Sequence, residues 1–392
     1  MAIEQDGQHS GSGPLTAAHL PTDDALRDEE SHVPRGDPVA ETQQSRTHMD
    51  QMLQELHERL TSAVDALTTG DDWRRALEFA AKFRARSFNN TLLIWAQHSA
   101  AYERGLVAEP VPTFVAGFRQ WQALEHRVLK GQPGYMIMAP VTGRFAAATP
   151  DDAESWRRLG RFERPRPGEV VRSRLVGVRP AYVWDLSQTS GPPIPIQPVP
   201  ELLEGGAPAG LWDELARLVA EAGFALTPVA NAAEIGGANG RTDFSHRSVA
   251  VRTDMDAAAR VKTLAHELAH IRMHGPNHDA LSHRGVGEVE AESVALMVGA
   301  AHGMDTSIYT IPYVSSWAAA IGDKTATEIV QQTGERVRRT AAEILGRLAT
   351  PQLGTGSPPA LDQEPPQRDA WFAPENAHSA PRTERVIRRG LS

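Results

Sequence analysis

Apolar residues fall at helical spacing in several separate stretches of the chain. Met52, Leu53, Leu56, Leu60, Val64 and Leu67 predict a first helix from about Met49. Gly70-Asp71-Asp72 breaks the run. Asp71 or Asp72 is placed to cap a second helix carrying Trp73, Leu77, Ala80, Ala81 and Phe83. Ser87-Phe88-Asn89-Asn90 interrupts again before Leu92-Leu93-Ile94-Trp95. The period then shortens. Residues 128–138 read as strand, tight turn at Gly131 and Gly134, and strand, and Tyr182-Val183-Trp184 as a further strand. Later stretches predict a helix at 211–222, strands at 224–227 and 248–252, and helices at 257–274, 286–301 and 326–349.

These alternations point to an α+β chain. A mixed helix and small-sheet domain is expected at 48–190, a Pro- and Gly-rich linker at 191–208, and a mainly helical domain at 209–350. Residues 141–169 hold Ala, Pro, Gly and charge and read as an insertion. Residues 1–47 and 351–392 have little apolar period and read as disordered tails.

Composition narrows the chemistry. Cysteine is absent, which excludes disulfides, thiolate metal sites and a cysteine nucleophile. Any metal must be held by His, Asp or Glu. The first residues are polar, and no apolar run approaches membrane-spanning length. A cytoplasmic protein with no membrane partner is therefore expected. A net charge of −9 argues against a globally basic nucleic-acid binder but leaves room for a local basic patch.

The most informative stretch is His266-Glu267-Leu268-Ala269-His270. On a helix, histidines four apart lie on one face, one turn from each other. Two imidazoles with a carboxylate between them form the H-E-x-x-H arrangement for zinc. In that chemistry the metal lowers the pKa of a bound water, and Glu267 takes its proton and passes it to a leaving amine. A third protein ligand is required. His274 stands eight residues from His266, about 12 Å along a helix, too far to share the ion. Met273 and Pro276 do not fit the extended three-histidine pattern. On the following helix, Glu288, Ala291, Glu292, Ala295 and Gly299 share a stripe whose small members admit a close neighbour, while Glu290 points away. Glu288 is expected as third ligand. Glu292 is expected to orient a ligand histidine through its other ring nitrogen, or to be the ligand itself. Tyr309 and Tyr313 are candidates to stabilise an oxyanion, with aromatic packing as their plainer role. The strand at 248–252 is a candidate to pair with an extended peptide.

Several stretches together resemble a known family. The motif with Glu288–Ala295 downstream is similar to ImmA/IrrE metallopeptidases. A closer likeness is to ArdC-like antirestriction proteins. It is carried by Phe88-Asn89-Asn90-Thr91-Leu92-Leu93-Ile94, Val115-Ala116-Gly117-Phe118-Arg119-Gln120-Trp121, Val128-Leu129-Lys130-Gly131-Gln132-Pro133-Gly134 and Val183-Trp184-Asp185-Leu186-Ser187-Gln188-Thr189. The likeness covers roughly 50–140 and 178–320 and departs in a variable insertion at 141–177 and in both tails. It implies an N-terminal single-stranded DNA-binding domain, a C-terminal zincin-type metallopeptidase domain acting on a peptide or protein substrate, and an antirestriction role on mobile genetic elements. The alternative is a single-stranded DNA-binding antirestriction protein whose zinc site is structural or catalytically vestigial. Read for such a surface, Arg84, Arg86, Arg119 and Lys130 are candidates to follow phosphates, and Phe118 and Tyr135 to stack bases. Trp95 and Trp121 lie in apolar helical contexts and are expected in the core.

Overall fold

The computed structural model describes residues 38–194, 202, 205–275, 284–307, 309, 311–312, 314–318 and 324–361. Residues 1–37 and 362–392 of the expected tails lie outside the described residues, as does Tyr313. Helix α1 (Pro38–Asp65) begins inside the stretch read as tail. Its first turns carry Glu41, Gln43, Gln44 and Arg46 and no apolar stripe, so hydrophobic period could not mark them. Helix α2 (Gly70–Lys82) is capped by Thr69, not by Asp71. The Thr69 hydroxyl accepts from Asp72 N, and the Asp72 carboxylate accepts from Thr69 N, a reciprocal capping box. Helix α3 (Phe88–Glu103) starts at Ser87, whose hydroxyl accepts from Asn90 N.

Strand β1 (Val115–Gly117), helix α4 (Phe118–Ala123) and strand β2 (Arg127–Val128) follow. The hairpin expected at 128–138 does not form. β2 pairs with β6 (Thr189–Ser190), whereas β3 (Tyr135–Ala147) pairs with β5 (Val170–Asp185). Gly131, at φ +84°, makes the turn. Gly134 serves close approach instead: a Cβ there would stand 2.8 Å from the Trp184 ring. With β4 (Arg157–Arg158) the sheet order is β1-β5-β3-β4, all antiparallel. The segment expected to be an insertion therefore holds the outer part of β3 and the short β4 and leads into β5, extending a long β3–β5 ribbon. Val170, Val171, Leu175 and Val176 favour strand but stay exposed on it, so no one-sided burial produced an alternating pattern.

The second half runs α5 (Leu211–Glu221), β7 (Ala225–Val229), β8 (Gly240–Asp243), β9 (Ser248–Arg252), α6 (Ala257–Met273), α7 (Arg284–Ala301), α8 (Val314–Ala318) and α9 (Ala326–Leu345). The sheet order is β7-β9-β8, with β7 parallel and β8 antiparallel to β9. β9 is paired on both sides and offers no edge to a peptide, which corrects the role suggested for 248–252.

Helix α7 is apolar around most of its surface and packs against α2, α6 and α9. Val294, Leu296, Met297 and Val298 are fully buried there. Leu56, Leu77 and Leu92 from the first half join Leu215, Leu264 and Val337 from the second in one contiguous core. Trp73 Nε1 on α2 donates to Ser293 Oγ on α7 at 2.9 Å. The stretches on either side of the Pro-rich segment thus share a core. Residues 351–361 are not free either. Leu353 N donates to Ala301 O, Val115 N donates to Gly356 O, and Leu361 packs against the cluster of Phe114, Ala116 and Trp121. Gly356, at φ +78°, lies against the Phe83 ring where no side chain fits. Among the described residues, no helix is long and apolar enough to cross a membrane.

Candidate metal centre

Helix α6 is set up by its N-cap, Asp256, whose carboxylate accepts from Ala259 N at 2.7 Å. Its buried face carries Val261, Leu264, Leu268 and Ala269 into the core. That anchoring fixes the rotation of the helix and turns His266 and His270 toward α7. Their ring centroids are 4.7 Å apart, and their Nε2 atoms 3.0 Å apart. From α7, Glu288 Oε2 lies 3.4 Å from His266 Nε2 and 3.8 Å from His270 Nε2. The three donor atoms lie within 4.8 Å of one another. Two imidazole nitrogens and one carboxylate oxygen in that space suit one divalent ion with a position left open. The Glu288 side chain is 61% exposed, so the group opens toward solvent on that side.

Glu292, one turn on, takes a different place. Its Oε2 is 3.2 Å from His266 Nδ1, the nitrogen facing away from the donor group, and its Oε1 is 2.7 Å from Lys262 Nζ. Burial disfavours the charged form of Glu292, but its hydrogen bonds to His266 and Lys262 outweigh this and hold its pKa below the usual value. For His266, burial acts to lower the pKa, yet Glu288 and Glu292 together push it up to about 9. Hydrogen bonds to His266 and His270 hold Glu288 well below the ordinary carboxylate range.

Glu267 is buried and turned toward β8. Thr242 Oγ1 donates to its Oε2 at 2.6 Å. Gly240 makes the room: a Cβ there would stand 2.6 Å from Glu267 Oε1 and 2.6 Å from Thr263 Cγ2. Tyr309 is also buried, and its hydroxyl donates to Ala295 O at 3.2 Å. Its ring covers Gly299 and carries the Lys262 ammonium 4.4 Å from its centroid. Helix α6 packs closely against α7 as expected, Gly299 at the far end of the stripe meets Tyr309, and Tyr309 packs rather than facing a reacting group.

Sequence reasoning missed Glu290. It is buried, with Oε2 3.0 Å from His274 Nε2 and Oε1 held by Arg336. Helical geometry placed it off the ligand stripe but could not show that α9 supplies an arginine there. Thr242, Gly240 and Lys262 were missed as well, since their roles depend on strand and helix packing.

The candidate DNA residues divide. Tyr135 is 2% exposed and bonded to His98 Nδ1 at 2.9 Å, so it is not available to stack. Arg86 is tied to Val115 O, and burial pulls its pKa down to about 10. Arg84 binds Leu353 O at 2.9 Å and Gln352 Oε1 at 3.2 Å, anchoring the returning C-terminal segment. Arg119 and Lys130 are exposed, and Phe118 is 49% exposed. The Phe118 ring stands 6.1 Å from Trp184, which stands 6.4 Å from the exposed Tyr182. Tyr182 and Trp184 alternate with buried Val183 along β5, so the sequence carried the signal for this aromatic surface. On the ribbon, Arg172 and Arg174 lie over the Trp156 ring at 5.0 and 4.6 Å.

Comparison with known proteins adds a family relationship. Residues 44–172 match the family model for the N-terminal domain of anti-restriction factor ArdC. The match runs through 141–172, the ribbon that sequence reading set outside the family likeness. An uncharacterized protein of Bacillus anthracis is 28% identical over 108 residues, which is 27% of this chain and 18% of that protein. Two crystal structures of the antirestriction ArdC protein from the R388 plasmid are similar at 18% identity. The metal-free form covers 67% of this chain and 84% of that one with a TM-score of 0.39. The Mn(II)-bound form covers 76% and 97% with a TM-score of 0.42. The likeness by sequence therefore rests on residues 44–172, which are similar to the N-terminal domain of anti-restriction factor ArdC.

Proposed function

We propose that the protein is a zinc-dependent metallopeptidase of zincin type joined to a single-stranded DNA-binding domain, acting in antirestriction in the cytoplasm. The observation that carries the hydrolytic part is that His266 and His270 of α6, the helix that also presents Glu267, meet Glu288 of α7 with their donor atoms within 4.8 Å of one another. When bound, zinc supplies an activated water and polarises a carbonyl oxygen. His266, His270 and Glu288 are the residues that would hold it. Glu267 accepts a proton and returns it to the leaving amine, its carboxylate steadied by Thr242. β8 pairs only with β9 among the described residues, so its other edge, beside Glu267, suits an extended peptide. Phe118, Tyr182 and Trp184 suit base stacking, with Arg119, Lys130 and the ribbon arginines near phosphates.

A second reading is favoured by the extent of the family match, which ends well before α6. In it the protein is a single-stranded DNA-binding antirestriction protein, and the metal site only stabilises the fold. Glu267→Gln separates the two. The first reading expects retained zinc and peptide hydrolysis reduced by about two to four orders of magnitude. Full DNA protection by a variant that binds zinc but hydrolyses nothing supports the second.

A further inference from the structure

A line of hydrogen-bonded groups leads away from the donor set, and peptide hydrolysis leaves it unused. His270 Nδ1 lies 2.9 Å from His274 Nδ1. His274 Nε2 lies 3.0 Å from Glu290 Oε2, and Arg336 Nε donates to Glu290 Oε1 at 2.7 Å. His274 and Glu290 are buried. We propose that Glu290, acting through His274, is a positioning device that fixes which nitrogen of His270 carries a proton and so presents His270 Nε2 to a metal ion as a free lone pair.

Donor and acceptor roles follow in one direction. A carboxylate only accepts, so His274 donates from Nε2. A neutral His274 then has its lone pair on Nδ1 and accepts there. His270 donates from Nδ1, which leaves the lone pair on Nε2, the atom facing His266 and Glu288. Arg336 neutralises the buried carboxylate and keeps it an acceptor. His266 is oriented in one step by Glu292, whereas His270 needs two steps because His274, one turn on, fills the space beside it. Groups that orient ligand histidines commonly set metal affinity as well as geometry.

The proposal rests on the reading of His266, His270 and Glu288 as metal ligands, and its test separates the two. Two-bond proton–nitrogen correlations on the 15N-labelled metal-free full chain report the His270 tautomer without any metal. Zinc titration against a chelating dye reports ligation. Wild type is expected to show His270 protonated at Nδ1. His274→Leu is expected to give mixed His270 tautomers and zinc binding weaker by about ten- to a hundredfold. His274→Gln, whose amide accepts from His270 and donates to Glu290, is expected to recover most of both. If His274→Leu does not fold, Glu290→Gln, which keeps the volume but not the acceptor-only character, is expected to shift both readouts the same way. A wild-type His270 protonated at Nε2, or tautomer and affinity unchanged in the folded variants, would overturn the proposal. A wild type with the Nδ1 tautomer that takes up no zinc would sink the ligand assignment and leave the positioning of His270 standing.

Discussion

The Nε2 atoms of His266 and His270 face each other at 3.0 Å, with Glu288 Oε2 beside both. Two nitrogen lone pairs at that distance repel unless a cation or a proton lies between them. The rings are arranged around a place for positive charge. In metal-free protein His266 is the group placed to carry that charge as a proton. Burial acts to lower the His266 pKa, but Glu288 and Glu292 raise it from 6.5 to about 9. A raised value stabilises the fold fully below the unfolded pKa and loses that contribution as pH rises through the folded one. The melting temperature of metal-free protein should therefore fall between pH 6.5 and about 9, and His266→Gln should flatten the slope. A zinc ion held there would require loss of that proton, so its apparent affinity should rise over the same interval. Melting curves and zinc titrations at several pH values check both trends.

Glu288 and Glu292 differ in which atom of His266 they meet, and their variants should differ accordingly. Glu288→Ala removes a donor and should abolish stoichiometric zinc. Glu292→Ala removes the group behind His266 Nδ1 and should weaken zinc by about ten- to a hundredfold without abolishing it. Equilibrium dialysis with zinc ranks the two. The reverse order would make Glu292 the ligand.

Gly240 and Glu267 are coupled by space. Gly240→Ala places a methyl 2.6 Å from the Glu267 carboxylate and from Thr263. The expected cost is about 1–3 kcal/mol of stability, the usual penalty for overpacking. Peptide hydrolysis should also fall. Thr242→Val keeps the volume and removes the hydroxyl that holds Glu267, so it should lower turnover with zinc content unchanged. Urea unfolding and zinc analysis, read beside turnover, separate these effects.

Much of the centre was legible because the helical period is exact enough to bring His266 and His270 to one face and to separate Glu288 from Glu290. The helices α5, α6, α7 and α9 were legible for the same reason, since each buries one side or all of itself. What depended on partners distant in sequence was not. Tyr135 reads as exposed until His98 of α3 covers its hydroxyl. Glu290 reads as surface until Arg336 of α9 meets it. The outer part of the ribbon, residues 170–178 of β5, lacks a buried face and so left no alternation to find.

The first-half surface predicts a division among single variants. Phe118→Ala and Trp184→Ala should each weaken single-stranded DNA binding by about 1–3 kcal/mol, the range for removing a stacked base's aromatic platform. Arg119→Ala and Lys130→Ala should weaken it and lower the salt slope by about 0.7 for each phosphate left without its cation. Tyr135→Phe should leave DNA affinity unchanged and cost about 1 kcal/mol of stability through its hydrogen bond to His98. Fluorescence anisotropy across a salt series reads the first two effects, and denaturant unfolding the third.

If His266, His270 and Glu288 form one metal centre, the metal content of the purified protein shows it most directly. Elemental mass spectrometry of wild type after zinc reconstitution should give about one zinc per chain, the stoichiometry of a single three-ligand site. His266→Ala and His270→Ala, shown to be folded, should each lose it. Wild-type protein without bound metal, or zinc retained in both histidine variants, would contradict the assignment.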